Sequence, residues 1–581
     1  MTGRTPSRLP TSREFRYTPR RVTVSADSPP RRRALPRAAI WLAAIWLAAT
    51  LVNLGKAAHI DDAAHLEIAR WIAQSPLHPM QGLVDWSDGP APIHHLNQPH
   101  LFFYLLALAR VLFGPSLIAA QLVVAGFTAL GVASFHLWWR RAVGARGEVL
   151  APALLFLGPA FVPGQNVMTD APLLALWCAF GAALAHARGA ATLRFLGLAG
   201  VAAAAACLVK YTSLVLLPVL ALDVWLRGPA SRRQLAVLLV PIGALAAWSA
   251  FNLYDYGGVH LLARPIESAR FSALEALGIT LGRGAIWTLT LGAACPFVIA
   301  LVPALRGEPR WRRGAAIAGF AVVVLTIATQ LIVPLVPPMH GETAAHSAAR
   351  AVFFCAGVAV IAAAVRALLA RPTDPDDARA ATVLAAWIAI ATVFVVVLSP
   401  FVAVRHVLLV LPATMVLVAR PHLGALATPS ARPFVIAAAV LTMALGVLLG
   451  VSDRRWAGRY REVAAREGEA AVQRGLRTHF VGHWGWQWYA AEAGLTPYVA
   501  GRTELRSGDR IVRPRLVDQP PWPPEHDRER LRVIDRHEIP AGPLDLLRTT
   551  TDRLGYYSVW HGLPYTVSAA PVEVFEIWQA E

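Results

Sequence analysis

Lysine is almost missing from this chain. Lys56 and Lys210 stand against 52 arginines, so the formal charge of +18 is carried by arginine. Charge of either sign is scarce as well: 15% of the 581 residues are Asp, Glu, Lys or Arg, against 56% hydrophobic ones. That balance excludes a water-soluble globule of this size. Nor does the basic excess point to nucleic acid, because the arginines cluster in short segments between apolar runs, as the positive-inside rule expects. Cysteine is sparse. Cys178, Cys207, Cys295 and Cys355 lie far apart in apolar runs, without metal spacing or a disulfide framework, and read as buried packing residues. No clean small-residue cleavage site follows the first apolar run, so residues 1–37 read as a disordered cytoplasmic tail rather than a signal peptide.

What is present is a series of apolar runs near the length that spans a bilayer. Spans are expected at about 38–54, 116–138, 148–162, 170–187, 195–209, 211–226, 234–252, 284–304, 314–333, 350–369, 380–398, 405–420 and 433–451. The arginine-bearing loops 140–146, 227–233, 306–313 and 366–379 then share the cytoplasmic side with the N-terminal tail. Loop 55–115 falls on the outer side, together with residues 452–581, whose alternating stretches such as "DRIVRPRLVD" and "VEVFEIW" read as a small extracytoplasmic α/β domain. The fold class is therefore an all-α polytopic membrane protein of about thirteen helices carrying that domain, with residues 38–451 as its membrane part.

Ionisable residues at span ends are costly and become functional candidates. Asp61 and Asp62 follow the first span in "IDDAAHLEIA", Asp170 opens "DAPLLALW", Lys210 ends "CLVK", and Arg405 and His406 lie in "VRHVLLVLP". All fall on the proposed outer side. Each also has a bland reading: capping for the aspartates, with Pro172 in the first turn after Asp170, and interfacial snorkelling or anchoring for Lys210 and Arg405/His406. An N-cap uses one carboxylate and gives no reason for an adjacent pair. Lys210, a compact cation with three donors, suits a phosphate oxygen.

In this order the segments resemble the GT-C membrane glycosyltransferases of the dolichyl-phosphate-mannose protein mannosyltransferase and lipid A aminoarabinose transferase-like family. The acidic pair sits where the family usually has Asp-Glu. "NQPHLFFYLLALARVLFG" is similar to its segment entering the second span, and "NVMTDAPLLALWCAF" to its second Asp motif. "GLAGVAAAAACLVKYTSLVLLP" resembles its Gly-rich helix ending in Leu-Thr-Lys, and "VRHVLLVLPATMVLVA" its Arg-Tyr-Leu-Leu-Pro segment. Departures are Asp62 for Glu, Val209 for Thr and His406 for Tyr.

This resemblance implies inverting transfer of a sugar from a polyprenyl-phosphate donor to an acceptor hydroxyl on the extracytoplasmic side of a bacterial inner membrane. It implies Asp61 as base, Asp62 orienting the acceptor or tuning its neighbour, Asp170 completing an acidic wall, and Lys210, Arg405 and His406 at the donor phosphate. Mannose and arabinose-type sugars are foremost, and protein, lipid and glycan acceptors all stay open. No metal is required, although adjacent carboxylates can take a divalent cation. His65 is a candidate for the acceptor side. Trp484 and Trp486 in "FVGHWGWQWYAAEAGL" are speculative candidates too, although large rings dominate small-domain cores and buried core aromatics are the favoured reading. The rival functions are a lipid flippase, which would place charges nearer the midplane, and an inactive scaffold.

Overall fold

The computed structural model describes residues 34–86, 89–96, 98–262, 273–301, 344–370, 372–516, 522–551, 554–559 and 563–581. The expected tail (1–37, apart from its last residues), the 314–333 span and the 306–313 loop lie outside them. The membrane part contains α1 (Ala34–Asn53), α2 (Asp62–Gln74), α3 (Leu101–Phe113), α4 (Leu117–Ala142), α5 (Leu150–Phe156), α6 (Asp170–His186), α7 (Thr192–Val209) and α8 (Leu216–Leu226). It continues with α9 (Leu239–Tyr256), α10 (Ala273–Ala294), α11 (Ala344–Leu369), α12 (Pro375–Val393), α13 (Val404–Leu408) and α14 (Leu411–Leu426). Then α15 (Arg432–Arg474) leads into the C-terminal region, where α16 (Trp484–Glu492) follows. Among the described residues, six helical stretches are long and apolar enough to cross a membrane, and four apolar helices are shorter.

Local chemistry explains most boundaries. The Ser116 hydroxyl accepts the Ala119 amide at 3.3 Å to cap α4, and the Asp374 carboxylate accepts the Asp377 amide at 3.0 Å to cap α12, with Pro375 next in line. Gly257 and Gly475 end α9 and α15 in the left-handed conformation that glycine adopts without steric cost.

Three expectations need correction. The run 148–162 is not a span: α5 ends at Phe156, and Gly158, Pro159, Pro163 and Gly164 hold the mostly buried stretch 157–169 out of a regular helix until α6 begins. The 405–420 run is broken into α13 and α14. Finally, Cys355 is exposed on α11, whereas Cys178, Cys207 and Cys295 are buried as expected.

Arginine pairs gather one set of helix ends. Asp223 accepts the Arg227 Nε at 2.8 Å and faces the Arg379 Nε at 3.3 Å, while Arg420 pairs with Asp377. Those contacts hold the ends of α8, α12 and α14 together, so loops 227–233 and 366–379 share one face.

At the opposite face α15 runs on past its apolar part for 43 residues in all, into the C-terminal region. Its five-stranded mixed sheet has the spatial order 496–497, 478–480, 510–514, 573–580, 531–539. Strand 478–480 is parallel to both neighbours, and 573–580 is antiparallel to both of its own. Phe575 on strand 573–580 packs against Tyr460 of α15 and Trp486 of α16. The region docks on the first loop: the Ala58 amide donates to the Tyr489 hydroxyl at 2.7 Å and the Gln487 amide to the Asp85 carbonyl at 2.7 Å. Gly485 is required there, since a Cβ would overlap the Ala58 carbonyl.

A buried ion pair lies at the centre of this junction. Lys56 pairs with Asp453 of α15 and spends its other protons on Asn166 Oδ1 at 2.6 Å and the Pro163 carbonyl at 3.2 Å. Asp453 also accepts from Thr549 and from the Tyr557 hydroxyl at 2.8 Å. Removing one partner leaves the other charge buried and unpaired, so Lys56→Met should destabilise the protein by about 3–5 kcal/mol, and adding Asp453→Leu should recover most of the loss. Thermal unfolding in detergent measures both, and a single-variant cost below about 1 kcal/mol would refute the assignment.

Candidate active site

Asp61 and Asp62 leave α1 by way of a closed turn. The Asp62 amide donates to the His59 carbonyl and the His59 amide to Asp62 Oδ2, both at 3.0 Å. Inside the turn Ile60 adopts φ +48°, a left-handed conformation that a β-branched residue takes only under constraint. Asp62 thus points into the protein, where burial pushes its carboxyl up to about 8 and Oδ1 finds no hydrogen-bond partner. Asp62, expected to orient the acceptor or tune its neighbour, is buried and closes the turn that carries Asp61. Asp61 occupies the N-cap position of α2 but makes no side-chain capping bond. Its Oδ2 instead lies 3.4 Å from Arg405 Nη1.

Asp170 opens α6, where the helix dipole favours a carboxylate, and lies 3.6 Å from Lys210 Nζ. Lys210 follows the last residue of α7 in an extended conformation and is within electrostatic reach of Arg405 and Asp61 too. Residues brought from positions 61, 170, 210 and 405 therefore meet in one cluster, part-open to solvent. Both ion pairs exceed the usual 2.7–3.2 Å hydrogen-bond range, and Arg405 Nε is buried with no partner.

Arg405 is placed by the C-terminal region. The Val404 amide donates to the Tyr556 carbonyl at 3.2 Å and the Val559 amide to the Val402 carbonyl at 2.7 Å, which straps the turn before α13. The guanidinium then lies 5.5 Å over the Phe401 ring. His406 next to it turns its Nδ1 onto the Ala403 amide at 3.2 Å, a local bond that takes one ring nitrogen away from the phosphate role expected for it.

His65 is one turn along α2 from Asp61. Its Nδ1 faces the Val167 carbonyl at 2.8 Å, so that nitrogen carries the proton and buried Nε2 is left as an unused acceptor. Burial lowers its pKa and keeps the ring neutral. Trp486 takes the core reading and loses the speculative acceptor role: it is fully buried, its indole donates to the Val481 carbonyl at 3.0 Å, and it packs on Phe480 and Phe575 in the C-terminal core. Trp484 is half-buried against Trp456, on the side of the Lys56 junction. Neither tryptophan joins the charged cluster.

Sequence reasoning missed Lys56, His59, Asp453 and Tyr557, which hold the turn in front of Asp61. The rarity of lysine was a signal for Lys56 as much as for Lys210. Among the described residues, no group of three His, Cys, Asp or Glu side chains is arranged to hold a metal.

Residues 97–254 match the family model described as dolichyl-phosphate-mannose-protein mannosyltransferase. The resemblance expected from the motifs is thereby shown over that segment. No curated protein sequence matches the chain. ArnT from Cupriavidus metallidurans bound to undecaprenyl phosphate is similar at 16% identity, with 94% of this chain and 98% of that chain covered and a TM-score of 0.43. The archaeal oligosaccharyltransferase AglB from Archaeoglobus fulgidus, in complex with an inhibitory peptide and a dolichol-phosphate, is similar at 14% identity with a TM-score of 0.40. That overlap takes in 80% of this chain and 65% of the archaeal one, so this chain spans about two thirds of the latter's length.

The buried Asp62 has a consequence for stability. Its folded pKa of about 8 lies above the ordinary 3.8, so the folded protein keeps a proton that the unfolded chain has released, and stability falls as pH rises from about 4 to about 8. Asp62→Asn should flatten that decline in melting temperature. An unchanged pH slope in the variant would show that Asp62 is not held protonated.

Proposed function

We propose that this protein is an integral-membrane glycosyltransferase moving a sugar from a polyprenyl-phosphate-linked donor to an acceptor hydroxyl, with inversion, on the extracytoplasmic side of the membrane. The observation that supports this most is the meeting of two carboxylates and two cations in one part-open cluster, held by ion pairs of 3.4 and 3.6 Å. The mannosyltransferase-family match over residues 97–254 supports glycosyl transfer as the chemistry. The cluster's position at the helix ends opposite the arginine-bearing loops supports the outer side.

In the reaction the acceptor oxygen attacks the anomeric carbon, and the bond from that carbon to the phosphate oxygen breaks. Polyprenyl phosphate leaves with the bonding electrons. Asp61 takes the acceptor proton as general base, and Lys210 and Arg405 hold the charge that grows on the departing phosphate. Ion pairs this long are poised for exchange: a phosphate arriving between the cations competes with the carboxylates, and Asp61 is released toward the acceptor. Asp170 positions Lys210, and His65 Nε2 accepts a hydroxyl proton from acceptor or sugar. The donor sugar is of the mannose or arabinose type, the acceptor a protein, lipid or glycan, and no divalent metal is needed. Asp61, Asp170, Lys210 and Arg405 lie at or next to helix ends rather than in mid-helix, which favours this reading over a flippase.

Glycolipids and glycoproteins of a strain lacking this gene, complemented with wild type or Asp61→Asn, test the proposal by mass spectrometry. Wild type should restore a glycan that the deletion loses and Asp61→Asn should not, consistent with a loss of about a hundredfold or more in kcat. Identical glycans in all strains would sink the transferase reading. With purified protein, chelation by EDTA should leave the transfer rate unchanged, and a rate restored only by Mg²⁺ or Mn²⁺ would refute metal independence.

A further inference from the structure

A second polar feature lies away from the charged cluster. A cleft of about 600 Å³, within the range of small-molecule sites, opens between the C-terminal end of α1 and the stretch of α15 that follows its apolar run. Leu51 and Val52 line it from α1, Val451 and Leu544 add apolar surface, and α15 contributes Arg454 and Arg459 together with Glu462, whose carboxylate is taken up by Arg459. Below it, α1 and α15 expose Trp41, Leu47, Val440 and Leu448, apolar side chains suited to lipid chains.

The cations here are unequally committed. Arg455 is tied to Asp545 through two bonds of 2.6 and 3.1 Å. Arg454 Nη1 reaches only backbone carbonyls, of Leu51 at 3.4 Å and Val52 at 3.2 Å, and has no carboxylate partner among the described residues. Arg459 donates to Glu462 at 2.8 Å from Nη1, yet its Nε is buried with no hydrogen-bond partner. Between these arginines Gly458 also lines the cleft, and a Cβ there would meet open space. Glycine weakens a helix interior, and no packing contact demands it at this position. What a side chain at 458 would do is occupy the cleft.

We propose that this cleft binds the phosphate group of an anionic membrane lipid, separate from the Asp61 cluster. Arginine forks match phosphate oxygens, the apolar lining accepts the apolar part, and the site lies where a span gives way to polar chain, the depth of a headgroup. A glycerophospholipid and a polyprenyl phosphate both offer this chemistry.

Native mass spectrometry of the full chain, titrated with phosphatidylglycerol, phosphatidylcholine or undecaprenyl phosphate, tests it in wild type, Gly458→Leu and Arg454→Gln. Wild type should hold phosphatidylglycerol or undecaprenyl phosphate about tenfold or more tighter than phosphatidylcholine. Gly458→Leu, whose Cβ meets open space and whose side chain enters the cleft, should lose the preference for phosphatidylglycerol and one equivalent of undecaprenyl phosphate, the equivalent at Lys210 and Arg405 remaining, while its circular dichroism and melting temperature are retained, and Arg454→Gln should weaken both about tenfold. Retention of both anionic lipids in competition assigns the site to the phosphate itself, and retention of one assigns the source. Equal retention of phosphatidylglycerol by all three proteins, or no preference for it over phosphatidylcholine in wild type, would overturn the proposal.

Discussion

The Lys56–Asp453 pair is the contact through which the parts of this protein are registered on one another. Lys56 belongs to the first loop, Asp453 to α15, and the groups completing the network come from the irregular stretch 157–169 and from the C-terminal region. Taking both charges out of water is expensive, so such a pair is weak evidence of added stability. What it selects is an arrangement, because only one register of these segments satisfies every donor. His59, whose Nε2 lies 3.5 Å from Asp453, is also the residue whose backbone closes the turn with Asp62. Two residues beyond it Asp61 emerges toward Arg405. From the other side, Tyr557 bonds Asp453 while Tyr556 and Val559 strap the turn that presents Arg405. Both members of the Asp61–Arg405 pair are thus positioned from the same junction.

The irregular stretch 157–169 serves the same end. Non-helical backbone at membrane depth is tolerated only where its polar groups find partners inside the protein. Here the carbonyls of Val162, Pro163 and Val167 face Asn53 at 2.8 Å, Lys56 at 3.2 Å and His65 at 2.8 Å. A regular helix would have consumed those acceptors in its own ladder. Pro159 and Pro163, which break the helix, therefore also free the oxygens that the first loop needs.

Composition and arginine placement made the membrane class legible, and the ordered polar residues made Asp61, Asp170, Lys210 and Arg405 legible as candidates. Their rarity in apolar surroundings was the signal. Partners were not legible, because hydropathy reports burial and says nothing about what a buried group touches. Lys56 and Asp453 are separated by almost 400 residues, and Asp453 sits in "SDRR", which reads locally as a basic stretch. The adjacent Asp61 and Asp62 look equivalent in sequence, yet a turn of four residues sends one toward Arg405 and the other inward. Trp486 failed as a sugar platform for a related reason: an aromatic-rich segment has the same composition whether its rings face a ligand or a core.

The two ionic clusters differ in one respect that separates structure from function. Around Lys56 every proton of the ammonium is matched, and both charges of the pair are fully buried. Around Asp61 the pairs are long, Arg405 and His65 keep unused nitrogens, and the charged groups retain some exposure. Loose pairs and unused nitrogens beside partly exposed charges depart from local consistency. That departure has a chemical use, since cations fixed in advance need little reorganisation when charge develops on a leaving phosphate. The rigid junction carries the cost of holding them there, and the loose pairs remain free to exchange carboxylate for phosphate.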